Sequence, residues 1–321
     1  MAAKVRVGVV GAGQFGRNHV RVVSQSERAE LTAVVDTDPT RAAESGTPAL
    51  TDYRQLVGRV DAAIVSAPTT VHAEIGCFLL ESGIDVLVEK PIAPDLASAD
   101  RLIRSAARHG RILQVGHLER FNPAILALEE IVTLPLFFEI HRMSVFSPRS
   151  LDIDVVLDLM IHDLDIVLAL ARGELDEVHA AGISILSSKI DIANVRLQFQ
   201  DGCVANLTAS RVSTERVRKL RLFQPQQYIS LDYAKRELVQ FTVGKDSEGS
   251  PEISIEQPKA GAGEPLNLQF EAFLDSVVTR REPKLDGVAA RRTLEVALAI
   301  LAKIEEHSGI VSRTLSSAWK P

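Results

Sequence analysis

The 321-residue chain sets 36 Lys and Arg against 42 Asp and Glu, a net charge of −6, with 46% apolar residues and two cysteines. That length allows two domains with a core each, and the acidic balance argues against a general nucleic-acid binder or a partner of anionic membranes while leaving small anionic ligands open. Cys77 and Cys203 lie far apart in apolar company, which disfavours a disulfide framework or zinc cluster and points to a reducing, cytoplasmic setting. No signal-peptide pattern opens the chain and no apolar run approaches the roughly 20 residues of a membrane span, so a soluble, untargeted protein is expected.

In chain order, VRVGVV (5–10) is an apolar, β-branched run, and GAGQFG (11–16) leads from it into a helical pattern. LTAVVD, DAAIVSAP, IDVLVEK and RILQVG then alternate with segments whose apolar residues recur three and four apart. That rhythm predicts βαβ units and a parallel sheet covered on both faces, an α/β Rossmann domain over 1–120. Beyond Pro123 come LFFEIHRMSVF, VHAAGISIL, NVRLQFQ, CVANLTAS, KLRLFQ, YISLDY and ELVQFTV, most alternating at period 2. They predict an antiparallel meander with one buried face, within an α+β domain over 121–321. A helix is expected near 155–171 and two more in QFEAFLDSVVTR and ARRTLEVALAILAKIEE, whereas GKDSEGSPEIS and PKAGAGEP read as loops.

GAGQFG has the spacing of a dinucleotide fingerprint: Gly11 for the turn, Gly13 for close approach of a pyrophosphate to the helix N-terminus, Gly16 for helix–sheet packing. Gln14 and Phe15 belong to the same cofactor loop. A plain strand-to-helix turn would read the same, but Asp36 ends the second strand about 20 residues after the last glycine, where a carboxylate accepts from ribose hydroxyls. Asp36 and Asp38 repel a 2′-phosphate and no Arg immediately follows Asp36, which favours NAD over NADP; Arg41 works against that inference. At the carboxyl end of the next strand Ser66, Ala67, Pro68 and Thr69 are expected beneath the cofactor. His72, opening the following helix, is either a ligand contact or a polar cap.

The run IDVLVEKPIA ends in a charged pair that is costly at the mouth of a buried strand unless something uses it. Successive strand residues face opposite ways, so Glu89 and Lys90 cannot both enter the crevice. Lys90 is the candidate to meet a substrate hydroxyl, with Glu89 beside the cofactor and Pro91 restricting the backbone of Lys90. In VVLDLMIHDLDIVLAL, Asp158, His162 and Asp165 fall at i, i+4 and i+7, a polar stripe on an apolar helix. A carboxylate one turn from an imidazole orients the ring for proton transfer at a secondary alcohol. A satisfied core histidine and an Asp/His metal site are the alternatives, and no further cluster with ligand spacing accompanies the second, so no metal is expected.

GAGQFG with Asp36, VEKP, GHLERFNP, the DLMIHDLD helix and the closing EPLNLQFEAFLDSVVTRREPKLDGVAARRTLEVALAI together resemble the Gfo/Idh/MocA oxidoreductases over nearly the whole chain. The resemblance implies a Rossmann domain followed by a substrate-binding and oligomerisation domain on a large open, mainly antiparallel sheet, with homodimers or homotetramers formed through it. It also implies catalytic positions at Lys90, Asp158 and His162 and a cis peptide between Lys90 and Pro91. The helix departs from the family pattern in having Met160 and Ile161 where a Gly usually precedes the His.

GHLERFNP with DLMIHDLD is similar to the branch that oxidises the 3-hydroxyl of UDP-N-acetylglucosamine ahead of an aminotransferase, in making 3-amino sugars for lipid A or surface polysaccharide. Arg211, Arg216, Arg218, Lys219 and Arg221 form a basic cluster that suits a diphosphate, or equally a solvated edge strand. Arg211 is counted with the substrate, as are His117 and Asn122; Arg120 is expected at substrate or nicotinamide. The expected reaction is NAD-dependent oxidation of a sugar alcohol, with His162 as base and Lys90 positioning the hydroxyl, or those roles exchanged. Two alternatives stand: a dehydrogenase of an unconjugated sugar or polyol such as inositol, and a non-catalytic NAD-binding sensor or corepressor.

Overall fold

In the computed structural model, which describes residues 3–146 and 152–318, the early apolar runs become one parallel sheet. Its strands are β1 (Val5–Val10), β2 (Ala29–Val35), β3 (Ala49–Leu50), β4 (Ala62–Val65), β5 (Asp85–Glu89) and β6 (Leu113–Gly116), in the order β3-β2-β1-β4-β5-β6. Every residue of β4 and β5 is buried, as expected of central strands with helices on both faces. Those helices are α1 (Gln14–Gln25), α2 (Pro39–Ala43), α3 (His72–Glu81) and α4 (Leu96–His109). Local chemistry sets the bounds of α4: the Asp95 carboxylate accepts from Ser98 N–H at the start, and Gly110, at φ +59°, ends it in the left-handed region. The strand order reverses between β1 and β4, so their carboxyl ends open a crevice.

The remaining elements are α5 (Pro123–Ile131), β7 (Phe137–Val145), a π-helical turn (Val156–Met160), α6 (Ile161–Leu170), β8 (Leu175–Ile183), β9 (Ile192–Phe199), β10 (Val204–Ser213), β11 (Val217–Gln224), β12 (Gln227–Asp232), β13 (Glu237–Lys245), β14 (Pro251–Glu256), α7 (Pro265–Thr279) and α8 (Gly287–Ala318). The chain divides into two units, Met1–Phe121 with Gly263–Leu294, and Asn122–Ala262 with Glu295–Pro321. The return of 263–294 to the first unit differs from the division at 120 read from the sequence. Its cause is α7, whose Leu266, Phe270, Phe273 and Leu274 join the core of Val7, Val9, Ile64 and Leu87.

The second unit's sheet runs β14-β13-β12-β11-β7-β10-β9-β8. It is not the meander expected: β7 sits in the middle, antiparallel to β11 and parallel to β10. The long connection through α6 allows that parallel pairing, which no tight turn could make. PEIS, read as the end of a loop, instead opens edge strand β14 on β13, with Pro251 as its first residue, where a missing N–H is tolerated. One face of the sheet buries Phe138, Ile140, Leu220, Leu222 and Leu207 with Met160, Leu164 and Ile300 from the helices. On the other, Phe137, Phe223, Tyr228 and Phe241 make a ladder with ring centroids 5.9, 5.0 and 5.3 Å apart, continued by exposed Val243, Ile253 and Ile255. Among the described residues no helix is long and apolar enough to cross a membrane.

Candidate active site

The three glycines of GAGQFG answer to three different constraints. Gly11 has φ +95°, and a Cβ there would lie 2.5 Å from the Ser66 carbonyl oxygen. A Cβ on Gly16 would lie 1.8 Å from the Gly11 oxygen, so helix and turn meet only through glycine. At Gly13 a Cβ would meet nothing within 4 Å, yet this residue caps α1 without a side-chain hydrogen bond. The start of a twelve-residue helix without a side-chain cap, with space before it, fits a pyrophosphate. Phe15, in the first turn, is 40% exposed.

A cavity of about 590 Å³ continues from this loop, lined by Gly11, Gly13, Asp36, Arg41, Ala67 and Pro68 among others. Asp36 is held in place by the backbone: Ala12 N–H donates to Oδ2 at 2.7 Å and Asp38 N–H to Oδ1 at 2.9 Å. Each oxygen keeps a lone pair for a ribose hydroxyl. Arg41 faces Asp38, Nε to Oδ2 at 3.4 Å. Thr69 opens a 3-10 turn, Thr69–Val71, ahead of α3. Loop, carboxylate and cavity together fit a bound dinucleotide.

At the end of β5 the charged pair separates as strand geometry requires. Glu89 is 8% exposed and turns inward, where Oε1 meets His19 Nε2 of α1 at 2.7 Å; Lys90 is half-buried. His19 escaped the sequence reading, since nothing local in NHVRVV marks a partner 70 residues away. The Glu89 carboxylate also accepts from Lys90 N–H at 3.3 Å and rests against Gly116, where a Cβ would stand 2.7 Å from Oε1. The Lys90–Pro91 peptide is cis. His72, expected at the cofactor, is instead 1% exposed, with Nε2 2.8 Å from the Ala67 carbonyl oxygen and Nδ1 3.1 Å from that of Pro91. Burial pushes its imidazole below the ordinary range, against the upward pull of both carbonyls and of Glu89. His117 is buried and Arg120 half-buried in a 3-10 turn, Leu118–Phe121, that closes the first unit's opening segment.

In the second unit Asp158 lies within the π-helical turn and His162 in the first turn of α6, both half-buried. The expected uninterrupted helix is thus widened by one residue just before His162, a feature that recurs at functional sites. Asp165 is buried. Neighbouring Asp163 accepts from Arg142 of β7 through Nε at 2.7 Å and Nη2 at 2.8 Å, and the guanidinium stands 5.1 Å from the Tyr233 ring centre. This pair anchors α6 to the sheet one residue from His162.

Two residues expected at the substrate have structural duties. Asn122 caps α5, its Oδ1 accepting from Ala124 N–H at 3.1 Å. Arg211 is 5% exposed, with Nε 3.3 Å from Asp191 and Nη2 donating to the carbonyls of Ile190, at 2.9 Å, and Ile153. The rest of the basic cluster disperses: Arg221 pairs with Glu139 at 3.0 Å, and Arg216, Arg218 and Lys219 are exposed. The alternation of β10 sends Arg211 inward, away from its neighbours in sequence.

Comparison with known proteins places this geometry. Residues 5–117 match the oxidoreductase family with an NAD-binding Rossmann fold, and residues 141–228 match the Gfo/Idh/MocA C-terminal domain. A UDP-N-acetylglucosamine 3-dehydrogenase from Acidithiobacillus ferrooxidans is 35% identical, over 94% of this chain and 97% of that protein. The chain belongs to the Gfo/Idh/MocA oxidoreductase family. A solved structure of that enzyme, 33% identical, superposes with a TM-score of 0.89 over 95% of this chain and 99% of its own. A myo-inositol 2-dehydrogenase from Thermotoga maritima is 25% identical over 95% of this chain and 98% of that protein. As a Gfo/Idh/MocA member the chain is a nicotinamide-dependent oxidoreductase, its NAD-binding Rossmann fold spanning residues 5–117.

Proposed function

We propose that the chain oxidises the 3-hydroxyl of UDP-N-acetylglucosamine, giving the 3-keto sugar, NADH and a proton. The observation that carries this reading is the 35% identity, sustained over 94% of the chain, to an enzyme of that name. When bound, the dinucleotide supplies the carbon that accepts the hydride. His162, oriented by Asp158, takes the hydroxyl proton, while Lys90 positions the hydroxyl and stabilises negative charge developing on its oxygen. The exchanged assignment, Lys90 as base, uses the same three residues. Arg120 is the further candidate for the nicotinamide end of the site.

NAD is the preferred cofactor because Asp36 and Asp38 present two carboxylates where a 2′-phosphate would sit, and Arg41 is turned to Asp38. The apolar ladder from Phe137 to Ile255 supports a homodimer or homotetramer formed through the open sheet. A 3-keto sugar is the natural substrate of a following aminotransferase. A reducing, cytoplasmic setting suits the two free thiols, Cys77 and Cys203; burial pushes that of Cys203 up to about 11.

Dispersal of the Arg211–Arg221 cluster removes one support for a diphosphate and favours a second reading, oxidation of an unconjugated polyol. One assay separates the two: NADH formation with UDP-N-acetylglucosamine, free N-acetylglucosamine and inositol, the ketone trapped with hydroxylamine because alcohol oxidation by NAD is uphill. Turnover confined to the UDP sugar is the expected result; turnover of inositol alone sinks the nucleotide-sugar reading.

A further inference from the structure

Lys90 stands between two residues that buried histidines hold. Before it, the Glu89 carboxylate meets His19 Nε2 at 2.7 Å; after it, the Pro91 carbonyl oxygen lies 3.1 Å from His72 Nδ1. His19 and His72 are 0% and 1% exposed, so neither ring is placed to touch a ligand. Burying an imidazole is costly unless its polar atoms are used, and here one nitrogen of each ring faces the same tripeptide. Nδ1 of His19 has no hydrogen-bond partner, so the polar contact of the ring is that of Nε2 with Glu89. The His72 ring lies between the end of β4 and the turn after β5, its Nε2 2.8 Å from the Ala67 carbonyl oxygen; a neutral ring carries one N–H, so it donates to one of the two carbonyls and packs against the other. The His19 ring in turn packs edge-on against Phe15 of the cofactor loop, centroids 5.4 Å apart.

We propose that His19 and His72 form a clamp that fixes the backbone on both sides of Lys90, making them positioning residues for the catalytic lysine. The direction of Lys90 is then set by α1 and α3, the two helices that frame the dinucleotide loop and the β4 turn, and not by the strand end alone. Displacing a catalytic group by about 1 Å can cost 10²-fold in rate, so the clamp is a lever on turnover that leaves the pyrophosphate cradle untouched. The proposal rests on the reading of Lys90 as a catalytic group.

Paired substitutions of equal polarity and different reach test it. A Gln amide nitrogen stands near where Nε2 of a histidine stood, and an Asn amide nitrogen near Nδ1. His19→Gln therefore keeps the Glu89 contact and His19→Asn loses it; His72→Asn keeps the Pro91 contact and His72→Gln loses it. The readout independent of activity is the rate at which a succinimidyl ester acylates Lys90 in cofactor-free protein, measured by peptide mass spectrometry against Lys235 and Lys303 as references. His19→Asn and His72→Gln are expected to change the Lys90 rate more than twofold and to lower kcat roughly 10- to 100-fold, with the Kd for NAD within about threefold of the parent. Their partners are expected to stay near the parent in all three. Equal Lys90 rates and equal kcat within each pair overturn the clamp. A Lys90→Met protein that still turns over sinks the catalytic reading of Lys90 instead, and the acylation rates still decide the clamp.

Discussion

Arg142 and Asp163 face each other edge to edge inside the second unit, joined by two hydrogen bonds of 2.7 and 2.8 Å and exposed by only 3% and 2%. Removing one member of such a pair leaves a buried charge without its partner, at a cost of about 3–5 kcal/mol, whereas replacing both with apolar groups can be nearly neutral. Arg142→Met is expected to lower stability by that order, and Arg142→Met with Asp163→Leu by much less. Urea midpoints of the two proteins decide it: equal losses would show that the charges do not act as a pair.

Lys90→Met removes the ammonium while keeping the length of the side chain. Turnover should disappear and NAD affinity stay nearly intact, because the loop, Asp36 and the cavity do not depend on Lys90. Isothermal titration with NAD beside a turnover assay checks both halves, and full activity refutes the assignment.

Gly13 and Gly16 look alike in sequence and should respond oppositely to alanine. A Cβ at Gly13 enters open space, so Gly13→Ala should shift stability by no more than about 0.5 kcal/mol. Its cost should appear in NAD affinity, weakened about tenfold or more, which is about 1.4 kcal/mol. Gly16→Ala drives a methyl onto the Gly11 carbonyl oxygen and should lower the thermal midpoint before any ligand is added. Unchanged NAD binding by Gly13→Ala would remove Gly13 from the cofactor site.

Burial holds His72 below its ordinary value of 6.5. The unfolded chain takes up a proton as pH falls through 6.5 while the folded protein does not, so this contribution is complete above 6.5 and is lost progressively below it. Urea midpoints from pH 7.5 to 5 should fall, and His72→Gln should flatten that slope. Asp191 acts at lower pH. Although burial opposes it, the N–H groups of Ile185, Leu186 and Ser187 and the Ser187 hydroxyl hold its carboxyl down to about 2, so its stabilisation is present above about 3.9 and lost toward pH 2. An acid limb unchanged in Asp191→Asn would contradict this.

Phe223 and Phe241 lie on the open face of the sheet, away from its core. Phe241→Glu should therefore leave the monomer folded and reduce the mass seen by sedimentation equilibrium. A wild-type protein that sediments as a monomer would remove the interface altogether.

What was legible in the sequence is what local pattern encodes. VRVGVV, DAAIVSAP and IDVLVEK announce β1, β4 and β5 because central parallel strands are apolar throughout, and GAGQFG with Asp36 announces the cradle because each glycine meets a different steric demand. Contacts between distant elements left no such trace. Glu89 reads as a charge at a strand end until His19 arrives from 70 residues away, and Arg142 and Asp163 look like two surface charges until β7 and α6 pack. Arg211 misled for the same reason: the alternation of β10 turns it into the interior, away from exposed Arg216, Arg218 and Lys219. PEISIE was hidden by the polar, Gly- and Pro-containing turn before it, although an exposed edge strand needs little apolar signal.

The return of α7 to the first core means that the nucleotide-binding unit is not one continuous stretch of gene. A truncation after residue 121 would strip Val7, Ile64 and Leu87 of Phe270 and Phe273 and leave an apolar surface bare. Exchange of cofactor preference between relatives by recombination therefore needs a crossover at each end of segment 122–262 and a third after residue 294, or the transplanted half arrives without part of its own interior.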